Sequence, residues 1–115
     1  MTIKAIEKRI EKIKDQILEI QSMRPGKLSK QYNICGNPTC KCKDQKKPKK
    51  HGPYFNLSYT FDGKSKTQFI RPEFSREIEQ ENKNYIKFKK LTRMWISLSI
   101  EKSNLILDEK KSKIK

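Results

Sequence analysis

Three cysteines fall within eight residues, in Cys35-Gly-Asn-Pro-Thr-Cys40-Lys-Cys42, and the only histidine follows nine residues later, in His51-Gly-Pro-Tyr54. Thiolate sulfur and imidazole nitrogen are ligands that zinc favours, and three of the first with one of the second make a common tetrahedral structural site. Gly36 and Pro38 shape a loop tight enough to wrap an ion. A shell closed by four protein ligands leaves no position for water, so the expectation is a structural zinc on Cys35, Cys40, Cys42 and His51, not a catalytic one. The spacing differs from the paired two-residue spacing of the commonest zinc ribbons and fingers. Two alternatives therefore stay open: free thiols with a histidine that caps the following turn, and redox or iron–sulfur chemistry. An odd cysteine count fits metal ligation or free thiols better than a disulfide framework.

The second chemical feature is charge. The formal net charge is +15, and it divides as +1 over residues 1–20, +10 over 21–72 and +4 over 73–115. Lys41, Lys43, Lys46, Lys47, Lys49 and Lys50 crowd ten residues that hold one acid, Asp44. Such a segment can displace the counterions condensed on a polyanion without demanding any base geometry. The candidate nucleic-acid contacts are these six lysines with Arg24, Lys27, Lys30, Tyr54, Lys64, Lys66 and Arg71. Lysine outnumbers arginine 23 to 5, so bidentate reading of guanine would rest chiefly on Arg24 and Arg71. A cluster at Lys87, Lys89, Lys90 and Arg93 reads as a solvated helix face. No enzyme constellation emerges: the chain has a single histidine, no glycine-rich phosphate loop, no serine elbow, and no carboxylate pair outside one acidic helix start.

These residues need a scaffold, and a chain of 115 residues with 33% hydrophobic content has little core to spare. Its apolar residues are nevertheless ordered. Ile3, Ile6, Ile10, Ile13, Ile17 and Ile20 recur at three- and four-residue spacing, which predicts a helix from residue 2 to about 22, ended by Pro25-Gly26. The partner of that seam is open between another part of the chain and a second copy. Lys27–Ile34 predicts a short strand. Tyr54–Phe61 alternates cleanly, with Phe55, Leu57, Tyr59 and Phe61 on one face and Tyr54 on the other, and Asp62-Gly63 turns it into a return strand over 64–70. A two-residue turn pairs Phe61 with Lys64, Tyr59 with Lys66, Leu57 with Gln68 and Phe55 with Ile70. On the face opposite the core set, Tyr54 and Phe69 are the better aromatic candidates for contact. Pro72 and the acids Glu73, Glu77, Glu79 and Glu81 open a second helix, whose stripe from Ile78 to Leu105 carries it to about residue 107.

The runs Arg24-Pro-Gly-Lys-Leu-Ser-Lys-Gln-Tyr32, Cys35 to Cys42 and His51-Gly-Pro-Tyr-Phe-Asn-Leu-Ser-Tyr59 together resemble a small uncharacterised prokaryotic domain family of unknown function, found in transposon- and phage-rich neighbourhoods. The resemblance covers about residues 24–95. It implies a mobile-element context and the same four ligands, and it supplies no activity.

The expected fold is α+β in one domain. An N-terminal amphipathic helix (1–23) leads into a three-stranded antiparallel sheet with a zinc-knuckle-like loop (24–72), then a long C-terminal helix (73–107) and a basic tail (108–115). The expected function is non-catalytic binding of DNA or RNA. The rival is a protein–protein inhibitor or adaptor that uses its basic face to block a nucleic-acid-processing protein. A third possibility is a coiled-coil assembly factor working as a homodimer through its helices. The start Met1-Thr-Ile-Lys lacks a signal-peptide run and no stretch approaches a membrane span, so the expected location is the cytoplasm, with no membrane partner.

Overall fold

The computed structural model describes residues 1–33 and 51–114, and the side chains of all of these except Asn33, His51 and Ile114. The order is helix α1 (Ile3–Leu18), strands β1 (Lys27–Asn33), β2 (His51–Phe61) and β3 (Lys64–Ile70), a 3₁₀ turn at Pro72–Phe74, and helix α2 (Ser75–Ile114). Two compact units are present: residues 1–22 with 84–115, and residues 23–83.

In the helical unit, Thr2 caps α1 by accepting from the Ala5 amide at 3.1 Å. The isoleucine seam is then consumed within the chain. Ile6, Ile10 and Ile13 are buried against Leu91 and Leu98 of α2, and Ile17, Ile20, Trp95 and Leu105 pack around them. The ammonium of Lys14 lies 5.2 Å from the Trp95 ring centroid, and Lys102 Nζ lies 3.1 Å from Glu7 Oε1.

Helix α1 is shorter than the 2–22 expected. Its last turn tightens, with the Glu19 amide bonded to Gln16 O and the Ile20 amide to Ile17 O. The chain leaves the helix at Glu19, well before Pro25, while Ile20 still reaches the core. At the other terminus the correction runs the opposite way. Helix α2 continues past 107 to Ile114, so residues 108–114 are not a tail. The segment Asp-Glu-Lys-Lys-Ser-Lys lacks an apolar period, yet is rich in good helix formers with neither Gly nor Pro to stop it.

The second unit is the sheet, in the order β1-β2-β3 and antiparallel throughout. The β2–β3 register pairs Phe61 with Lys64, Tyr59 with Lys66, Leu57 with Gln68 and Phe55 with Ile70, as expected. Asp62 (φ 54°) and Gly63 (φ 75°) both adopt the left-handed region, the backbone a tight hairpin turn with the strands' own twist requires. Strand β2 starts at His51, three residues earlier than expected, and a register shift between Gln31 and Asn33 admits the extra length.

Gly26 enters β1 at φ +115°, where an added Cβ would stand 2.6 Å from Ser58 O and 2.7 Å from Tyr59 Cβ. Both neighbours belong to the rigid middle of β2. Gly26→Ala is therefore expected to cost more than about 1 kcal/mol, through backbone strain and forced separation of β1 from β2. Urea denaturation followed by tyrosine fluorescence measures it, and an unchanged midpoint would show that β1 can shift freely.

Candidate functional site

The two edges of the site follow from register. Asn33 and His51 are the last paired positions of β1 and β2, so the segment joining the strands leaves and returns at one end of the sheet. Cys35, Cys40, Cys42, Lys41, Lys43, Lys46, Lys47, Lys49 and Lys50 lie on that segment, outside the described residues, as does the His51 side chain. Among the described residues no group of three or more His, Cys, Asp or Glu side chains could hold a metal. At the base of the segment the strands come close: a Cβ on Gly52 would lie 2.8 Å from Gln31 O.

Strand alternation sorts the remaining candidates onto two faces. The apolar face carries Leu28 and Lys30 of β1, Phe55, Leu57, Tyr59 and Phe61 of β2, and Lys64, Lys66, Gln68 and Ile70 of β3. Leu57 and Ile70 are buried, whereas Phe61 at the hairpin end is 70% exposed. Lys30, Lys64 and Lys66 are exposed on this face, and Lys30 Nζ stands 5.8 Å from the Tyr32 ring. Pairing Tyr59 with Lys66 and Phe61 with Lys64 sets a lysine stem opposite each ring, from where the ammonium groups can reach water.

The other face is polar. It carries Lys27, Ser29 and Gln31 of β1, Tyr54, Asn56, Ser58 and Thr60 of β2, and Ser65, Thr67 and Phe69 of β3. None of its side chains is buried. Its polar groups bond across the strands: Asn56 Nδ2 donates to Gln31 Oε1 at 3.1 Å, Ser29 Oγ donates to Asn56 O at 3.2 Å, and the Thr60 and Ser65 hydroxyls are 2.8 Å apart. Arg71 is still extended (φ −62°, ψ 140°) and so continues the alternation of β3 on the side of Phe69.

The described candidate residues are thus not gathered on a single face. Lys27, Tyr54 and Arg71 go with the polar face, and Lys30, Lys64 and Lys66 with the apolar one. Arg24 is half-buried and donates from Nη1 to Gln68 Oε1 at 3.3 Å, so part of its donor fork is already engaged.

Asn82, on the first turns of α2, has no counterpart among the expected site residues. It is the buried polar side chain of the described residues, and its Nδ2 donates to Arg24 O at 3.0 Å while the Arg24 amide donates to Glu81 O at 3.1 Å. This pair of bonds fixes the backbone that carries Arg24 into β1. A lone asparagine at helical spacing gives no sign of such a role.

Helix α1, the three-stranded antiparallel sheet and the long helix α2 make the fold α+β. The chain belongs to the family described as Domain of unknown function (DUF6788), which matches residues 3–80. No curated protein and no solved structure matches it. No helix among the described residues is long and apolar enough to cross a membrane.

Proposed function

We propose that this protein is a non-catalytic nucleic-acid-binding module of a mobile element or phage, stapled by one structural zinc on Cys35, Cys40, Cys42 and His51. The observation that supports binding is the concentration of charge: residues 21–72 hold +10 of the +15 total, and the sheet within that stretch has a polar face with no buried side chain among the described residues. A sheet that kept this charge for solubility alone would have no need to exclude acids, and Asp62 is the single acid in its described strands and turn. The thin core of the sheet unit supports the zinc. Leu57 and Ile70 are its buried hydrophobic residues among those described, and a three-stranded sheet with so little burial gains from a cross-link at its open end.

Affinity for a mixed-sequence oligonucleotide, measured by fluorescence anisotropy between 50 and 300 mM salt, tests the reading. With six to ten phosphate contacts it should fall by about three to five decades between 50 and 200 mM, and a flat response would remove it. A second reading, an adaptor or inhibitor of a nucleic-acid-processing protein, is favoured by the exposed Ile86, Ile96 and Ile100 of α2. There, nucleic acid and the protein partner would compete for the basic surface.

A further inference from the structure

Phe69 is out of place. It is 56% exposed on a sheet face otherwise made of hydroxyls, amides and a lysine, and its cross-strand partner is Asn56. Tyr54 stands two residues along β2 from Asn56, so Tyr54 and Phe69 are diagonal neighbours, roughly 7–8 Å apart across the strands. That separation is about twice the 3.4 Å spacing of bases along a strand. Between and beside them lie the bonded Asn56–Gln31 amides and, continuing β3, Arg71. The Arg71 side chain is 73% exposed and meets Glu73 only at 4.0 Å, too loosely to hold it from another anion.

We propose that this polar face receives single-stranded nucleic acid, with unpaired bases stacking on Tyr54 and Phe69, the Asn56 and Gln31 amides meeting base edges, and Arg71 taking a backbone phosphate. The inference rests on the nucleic-acid reading above and narrows it to one strandedness. Two features favour unpaired bases over a duplex. The aromatic rings are on a sheet face, which a duplex would meet with its phosphates and not its base planes. The amides carry both donors and acceptors, which suit the exposed edges of splayed bases.

Anisotropy titrations with labelled twelve-nucleotide oligo-dT, oligo-U and a twelve-base-pair duplex, at fixed and varied salt, test it on native protein, Phe69→Ala and Phe69→Trp. The exposed position makes Phe69 safe to change without unfolding the sheet. The single strand is expected to bind tighter than the duplex. Phe69→Ala should lose roughly 5- to 150-fold, the worth of one stacked base, with an unchanged salt slope, and Phe69→Trp should restore it. A duplex bound as well as the single strand, or Phe69→Ala binding like native protein, overturns the inference and leaves the nucleic-acid reading standing. Binding of neither ligand at 50 mM salt overturns both.

Discussion

Chelation is expected to strip one zinc from each chain and unfold the sheet while leaving the helical unit's core in place. In zinc-finger peptides a structural zinc supplies about 10–16 kcal/mol at neutral pH, as much as the whole net stability of a typical domain. With the zinc bound as proposed, the two units of this chain would not depend on it equally. The helical unit has its own cluster, Ile6, Ile10 and Ile13 against Leu91 and Leu98, whereas the sheet unit buries Leu57 and Ile70. The test is native mass spectrometry before and after chelation, with amide exchange in β1 and β2 and emission from Trp95, the single tryptophan. Exchange should rise sharply across Leu28–Gln31 and Phe55–Ser58 while Trp95 emission holds. Cys40→Ser should reproduce the chelated state. A metal-free protein with three freely reactive thiols and protected strands would mean that the sheet stands by itself and that the cysteines have another use.

What could be read from the residues, and what could not, follows from the range of the forces involved. The hairpin register was legible because alternation over Phe55, Leu57, Tyr59 and Phe61 and the Asp62-Gly63 turn are local and agree with each other. The end of α1 was not, because Pro25-Gly26 is only the last place a helix could stop. Its actual exit at Glu19 depends on where the chain must go next, and the amides of Asn82 and Asn84, which donate to Arg24 O and Ser22 O, become partners only after folding. The reach of α2 was missed for a different reason: a polar, charged helix end has propensity without periodicity. For the site, alternation and the hairpin pairing separate Tyr54 and Phe69 from the core set and put Lys64 and Lys66 opposite Phe61 and Tyr59, but do not reveal that Lys27 shares the face of Tyr54 while Lys30 does not. That partition needed the β1–β2 register, which no local signal carries.

Charge reversal separates a located contact from a general attraction. Replacing Lys46, Lys47, Lys49 and Lys50 by Glu lowers the formal charge from +15 by eight, to +7, and doing the same at Lys87, Lys89, Lys90 and Arg93 gives the same +7. If net charge alone drew nucleic acid to the protein, the two variants would bind alike. The proposed interface makes them differ. Each lysine lost from a phosphate contact lowers the slope of log affinity against log salt by about 0.9, so four contacts carry a slope change near 3.6 and about three decades of affinity at 0.15 M salt. The helix variant changes residues that are exposed on α2, where Lys89 Nζ lies 5.5 Å from the Tyr85 ring, and should lose less than about tenfold through long-range field alone. Equal losses would reduce the basic segment to one part of a diffuse cationic surface. A larger loss from the helix variant would move the interface to α2, and with it the weight of function from the sheet to the helices.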